Sequence, residues 1–366
     1  MTPPLRIGVT GLNAHDNPGP GVSVVRSLRR APELRDARIV GLCYDSLEPG
    51  IYARDLVDDA FLIPYPSQGS DSLLARLEYI VDRVGGLDVI IPTLDSELPA
   101  FIALEPALRT LGVAMFLPAR EKFELRAKTH LMELGQRANI AVPDGVTVQS
   151  ESDLYHLHEH LTFPVVIKGV FYGAKIARDV GEAIAAFHET VARWGLPVIA
   201  QQYVKGQEYD VVAVGDGEGR LVGAVPMRKT YITDRGKGWA GVAVRDPELL
   251  RVTEAFMQAS KWRGPCEVEI IKDATGRYQL LEINPRFPAW TYLAAAAGQN
   301  LPWAVVQLAR GQKVEPMQEF QAGLMFVRIA LDQVVELADF EAISTQGELH
   351  RARQVLGSPR EEHDHD

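Results

Sequence analysis

Cysteine is almost missing from the 366 residues: Cys43 and Cys266 stand far apart, each inside an apolar run. Two such residues build neither a disulfide framework nor a cysteine-based zinc spacing. Both read as small buried hydrophobes of a reducing compartment. Long hydrophobic runs are missing as well, since "YLAAAAG" falls far short of the roughly 20 residues that span a bilayer. The start, "MTPPLRIGVTG", lacks a basic stretch followed by an apolar one, so no export signal is read there and the expected location is cytoplasmic. Positive charge is also short: 38 Lys and Arg face 48 Asp and Glu, for a net charge of −10. Neither a nucleic acid nor a membrane is therefore an expected partner, although a local basic pocket for phosphates remains compatible with the balance. What is present is ordinary for a soluble globular chain, with 46% hydrophobic and 23% charged residues and enough length for two or three domains.

The first part alternates strands and helices. "LRIGVTGL", "ARIVGLCYD", "DDAFLIPYP" and "LDVIIPTLD" read as strands, with helices in "GVSVVRSLRRA", "LLARLEYIVDRVG" and "FIALEPALRTLG" between or after them. This order predicts an α/β domain with a doubly wound, Rossmann-like parallel sheet over residues 1–118. The turn Gly19, Pro20, Gly21 departs from the three spaced glycines of the dinucleotide fingerprint, so no nicotinamide site is read there. From residue 119 the pattern becomes α+β with antiparallel pairs. Division points follow near residues 200 and 310, with an extension over 311–357 and a polar, disordered tail, "SPREEHDHD", over 358–366.

The chemistry concentrates in "CEVEIIKDATGRYQLLEINPRFPAW", which reads as two strands and a turn. Side chains alternate along a strand, so Glu282 and Asn284 share one face while Leu281 and Ile283 share the other. Glu267 and Glu269 repeat that period. If the loop holds an even number of residues, as in Asp273 to Gly276, positions 267, 269, 282 and 284 fall on a common face. Carboxylates so gathered repel unless a cation neutralises them, and an all-oxygen set suits Mg²⁺. A solvated acidic hairpin is the plain alternative. Pro285 ends the strand and frees Arg286 to meet a ligand.

Other segments carry complementary groups. Lys168 closes the apolar strand "PVVIK", and the turn "GVFYGAK" brings Lys175, a pattern suited to phosphates. Lys128 lies on the helix of "LRAKTHLMELG". "VIAQQYVKGQEYDV" breaks at Gly206 and offers backbone groups near Val204 to an adenine edge, with Glu208 within reach of ribose hydroxyls. The substrate candidates are Asp95 and Glu97 in "PTLDSEL", the basic loop over 227–241 with Arg228, Lys229 and Arg235, and Trp290 in "FPAWTY".

Taken in order, "LRAKTHLMELGQRANIAVP", "FPVVIKGVFYGAK", "IAQQYVKGQE", "CEVEI" and "LLEINPRF" resemble the ATP-grasp superfamily, and within it the branch similar to carbamoyl phosphate synthetase and biotin carboxylase. The resemblance covers residues 1–310. It implies an ATP-grasp fold with a small subdomain over 119–200 and a large one over 201–310, with ATP and Mg²⁺ as cofactors. It implies Lys128, Lys168 and Lys175 on the phosphates, the segment of Gln201, Gln202 and Val204 on adenine, and Glu208 on ribose. Glu269, Glu282 and Asn284 would hold Mg²⁺, and Arg286 with Lys168 would serve phosphoryl transfer. Many relatives have Glu where Gln201 stands here, which leaves only backbone contacts at that position. The implied activity joins a small-molecule carboxylate to an amine through an acyl phosphate, in a chain compatible with a homodimer. A small-molecule kinase and a non-catalytic nucleotide-binding regulator are the alternatives.

Overall fold

A computed structural model describes residues 3–14, 18–126, 128–169, 174–232 and 238–350. Strands β1 (Arg6–Thr10), β2 (Arg38–Cys43), β3 (Asp59–Leu62) and β4 (Val89–Ile91) run parallel in the order β3-β2-β1-β4. Ile7, Val9 and Ile39 pack with Val24, Val25 and Leu28 of the helix Gly21–Arg29. On the other face Val40, Leu42 and Ile90 meet Leu73, Leu77 and Phe101 of the helices Ser70–Val84 and Leu98–Thr110. Burial on both faces explains why these strands read as continuous apolar runs. The first helix starts hard against β1: a Cβ on Gly21 would lie 2.1 Å from the carbonyl oxygen of Thr10, so only glycine fits there.

Next come β5 (Gly145–Val148), β6 (Val165–Lys168), β7 (Ala174–Ala177) and β8 (Val198–Gln202), antiparallel in the order β5-β8-β6-β7. Val165 and Ile167 face Ala183, Ala186 and Phe187 of the helix Val180–Trp194. Asp179 caps that helix, accepting from the Glu182 N–H at 2.9 Å.

The third sheet comprises β9 (Gly206–Asp216), β10 (Leu221–Ile232), β11 (Gly238–Ala243), β12 (Arg263–Asp273), β13 (Tyr278–Asn284) and β14 (Met325–Val327), in the order β13-β12-β9-β10-β11-β14. Along β9 the sides alternate. Val211 and Ala213 pack on the helices Pro247–Ser260 and Lys128–Ala138, whereas Val212 and Val214 enter the core shared with β1, β2 and the helix Leu301–Ala309. That shared core ties one face of the parallel sheet to the large sheet. The helix Lys128–Ala138, grouped by chain order with the small sheet, packs instead on the large one through Leu131 and Leu134. Apolar burial, not sequence neighbourhood, decides its place. A final strand, β15 (Glu348–His350), returns to pair antiparallel with β3. The expected disordered tail, 358–366, lies outside the described residues. No helix among the described residues is long and apolar enough to cross a membrane.

The helix behind the large sheet is secured at its start by Asp246, whose Oδ1 accepts from the N–H of Glu248 at 3.0 Å and whose Oδ2 accepts from the Tyr278 hydroxyl at 2.5 Å. Asp246→Ala removes the cap and this tie to β13. It should cost about 1–2 kcal/mol, seen as a lower urea midpoint at unchanged slope.

Candidate active site

The acidic face exists, but it is reached by a different route from the expected even loop. Asp273 stands opposite Arg277, as the Asp273 N–H donates to the Arg277 carbonyl at 3.0 Å, which leaves three residues in the turn. An odd loop alone would set Leu281 opposite Glu269. A bulge between Glu269 and Ile270 in the pairing shifts the register by one, so that Glu269 opposes Glu282 and Glu267 opposes Asn284. The odd turn and the bulge cancel, and the four side chains share a face. β9 adds to it, because Asp210 is the partner of Glu269 on that strand's other side.

Two cations stand among these oxygens. Lys229 reaches Asp210 at 3.1 Å, Glu208 at 3.2 Å and Glu269 at 3.5 Å. Arg286 donates through Nη1 to Glu267 at 2.7 Å and through Nε to Asp95 at 3.0 Å. Asn284 donates to Glu269 at 2.8 Å and to Glu267 at 3.2 Å. Burial works against the Lys229 charge, yet Asp210, Glu269, Glu208 and Glu267 outweigh it and hold the ammonium well above its ordinary pKa. Burial would likewise raise Glu269; Lys229, Arg286, the Asn284 amide and the field of Lys168 overcome it and hold this carboxyl below its ordinary value. Asp210 goes the other way. Its burial keeps it well above the usual carboxylate range although Lys229 pulls it down, and Glu269 and Glu267 add repulsion. Lys229 keeps its proton whichever carboxylate shares it, because oxygens of three residues stand within 3.5 Å.

The other expected residues divide between this face and elsewhere. Lys168, ending β6, lies close enough to act on Glu269. Lys175 does not join it. In the β6–β7 register Lys175 opposes Ile167, whose side chain is buried toward the helix Val180–Trp194, and Lys175 pairs there with Glu189. Gln201 is buried with its amide turned to the Pro143 carbonyl at 3.4 Å, so its side chain is not offered to a ligand. The Gln202 N–H is committed to the Asp144 carbonyl at 2.8 Å, and its side chain clasps Thr162. Val204 lies two residues beyond the end of β8, and Glu208 lies on β9 at the edge of the acidic face.

Three substrate candidates, Glu97, Trp290 and Arg228, are turned to other surroundings, and a fourth, Asp95, stays in the site. Glu97 is fully buried, accepting from the Thr93 and Leu94 N–H groups at 2.7 and 2.9 Å and from the hydroxyls of Thr10 and Tyr44; it braces the ends of β1 and β4. Trp290 is buried too, and its indole N–H donates to Glu267 at 2.8 Å, so it positions a carboxylate instead of lining a pocket. Arg228 is exposed, because strand alternation turns it away from the face that Lys229 enters. Asp95 is engaged by Arg286 and joins the first sheet to the site. Arg235 and residues 170–173 lie outside the described residues, as does the side chain of Lys128, at the start of its helix. Asp210 is absent from the candidates drawn from sequence; the spacing of Glu208 and Asp210, the same period of two as Glu267 and Glu269, was its signal.

Among the described residues no three His, Cys, Asp or Glu groups close around one point as a ready metal shell. The donor chemistry nonetheless fits Mg²⁺: Glu269, Glu282 and the amide oxygen of Asn284, whose nitrogen is spent on Glu269 and Glu267, are hard donors on paired strands, as few as a magnesium ion needs when water and phosphate complete its octahedron.

Comparison with known proteins gives this arrangement a context. Residues 196–330 match the family described as "ATP-grasp in the biosynthetic pathway with Ter operon". D-alanine–D-alanine ligase of Chromohalobacter salexigens is 26% identical over 43% of this chain and 54% of its own length. The chain thus spans a little over half the length of such relatives. The biotin carboxylase domain dimer of Hydrogenobacter thermophilus 2-oxoglutarate carboxylase, solved with MgADP, ADP and bicarbonate, superposes with a TM-score of 0.68 at 18% identity, covering 86% of this chain and 72% of that one. L-amino acid ligase of Bacillus licheniformis gives 0.64 at 15% identity, over 84% and 75%. This chain shares the fold of these structures.

Proposed function

We propose that this chain, an ATP-grasp protein, is an ATP-dependent carboxylate–amine ligase that activates a small-molecule carboxylate as an acyl phosphate and joins it to an amine. What supports this reading is the single face shared by β9, β12 and β13, where Glu208, Asp210, Glu267, Glu269, Glu282 and Asn284 surround Lys229 and Arg286. Phosphoryl transfer asks a protein for charge neutralisation and alignment more than for a nucleophile of its own. Glu269, Glu282 and Asn284 would hold Mg²⁺, which neutralises phosphate charge when bound. Lys168 and Lys128 take the phosphates, the Gln202 carbonyl and the Val204 amide take adenine, and Glu208 takes ribose. Arg286 faces the transferred group while Asp95 and Glu267 steady it. Lys229, reached by three carboxylates, sets how much negative charge remains for metal and nucleotide. On this reading residues 1–118 form a Rossmann-like domain that carries the substrate-facing loops, 119–200 and 201–310 are the two ATP-grasp subdomains, and a cytoplasmic setting suits the ATP supply.

ATP should be cleaved to ADP and phosphate, with phosphate release raised by the correct carboxylate and amine together. Chromatography of the nucleotide products tests it. AMP and pyrophosphate as the main products would remove the assignment, and phosphate transfer to a carboxylate that no amine accelerates would favour a kinase.

A further inference from the structure

Among the described residues the large sheet ends in an uncovered edge. β14 pairs with β11 on one side only, as Ala243 donates to the Leu324 carbonyl at 2.8 Å and Arg328 donates to the Trp239 carbonyl at 3.0 Å. Leu324 and Arg328, the even-numbered residues of this segment, spend these backbone groups inward, so by antiparallel alternation Met325 and Val327 turn theirs to the free side. The side chains of the odd positions are exposed and apolar: Met325 is 52% exposed, Val327 65%, Ile329 75% and Leu331 78%. Residues 328–336 contain neither helix nor turn, and Glu336 is still extended at φ −79°, ψ 138° before the helix Leu337–Gln346 begins. An apolar ribbon beside unpaired backbone is an edge that natural proteins cover.

We propose that a second copy of this chain covers it, with residues 325–335 of the two copies paired antiparallel about a two-fold axis through Ala330. The segment's own charges select both the occupant and the register. An axis at Ala330 sets Arg328 opposite the partner's Asp332, twice by symmetry, and Ile329 opposite the partner's Leu331. Moving the axis to Ile329 or Leu331 places Arg328 against an alanine or a valine and leaves both charges unmatched. Arg328 is half-buried and places Nε on the Gly238 carbonyl at 3.0 Å, and among the described residues no carboxylate of its own chain forms an ion pair with it. The outward backbone groups of the odd residues meet their symmetry mates in the same register. The two large sheets then form one continuous sheet across the dimer, and the apolar odd faces of the two ribbons lie side by side.

Sedimentation velocity on the full chain over a dilution series tests this independently of turnover. The wild-type protein should show a monomer–dimer equilibrium. Asp332→Arg, at an exposed position, opposes like charges twice and should weaken the dimer about tenfold or more. Arg328→Asp should do the same. An equimolar mixture of these two variants should recover the wild-type dimer, because both cross-strand pairs are then unlike. Should Arg328→Asp fail to fold, Asp332→Arg and Leu331→Lys, both on the exposed ribbon, carry the test alone. A wild-type protein that sediments as a monomer throughout, or a dimer indifferent to Asp332→Arg and Leu331→Lys, overturns the proposal; so does a mixture of two folded variants that stays monomeric.

Discussion

Glu282→Gln should leave the protein folded and reduce turnover roughly a hundred- to a thousandfold. The substitution keeps the shape of the side chain and removes one negative charge from the set assigned to Mg²⁺. Its position is specific: Glu282 stands directly opposite Glu269 across the hairpin, where two like charges otherwise disfavour pairing. This gives stability and catalysis opposite signs. Relief of repulsion should hold or raise the melting temperature, while the Mg²⁺ concentration needed for ATP to raise that temperature should climb. A variant with normal turnover and an unchanged Mg²⁺ requirement would return the hairpin to the role of a solvated acidic face.

Arg286→Lys is expected to lose both stability and rate. Arg286 is 9% exposed, and its guanidinium binds Asp95 and Glu267 through different nitrogens, at 3.0 and 2.7 Å. A single ammonium cannot reproduce that fork, so one of two charge-assisted bonds is lost at a cost of about 1.5–3 kcal/mol. On the proposed role, in which Arg286 meets the group in transfer, kcat should fall roughly ten- to a thousandfold, with ATP affinity changed much less. Melting temperature and kcat measured on one preparation separate the roles. A destabilised variant with near-normal kcat would make Arg286 a rivet between the first sheet and the large one, and nothing more.

The strands and their faces could be read from the chain because alternation is local. Glu267 with Glu269 and Glu282 with Asn284 needed only the period of two, and Lys168 needed only its place at the end of an apolar run. The same rule, applied to β9, would have added Asp210. The convergence of those faces was another matter. An even loop was expected, and the structure joins the strands by an odd turn and a bulge whose effects cancel, a compensation set by the ladder between β12 and its two neighbours. Lys175 sits a few residues after Lys168, yet the β6–β7 register turns it to the opposite face. Glu97 and Trp290 carry polar atoms suited to a ligand, and their partners in the fold consume them. Asp95 and Arg286 meet across 191 residues, and Lys229 enters the acidic face from β10. Such meetings depend on which sheets share a core. Local propensity cannot report that, because the free energy that brings distant charges together comes from burying apolar side chains elsewhere in the molecule.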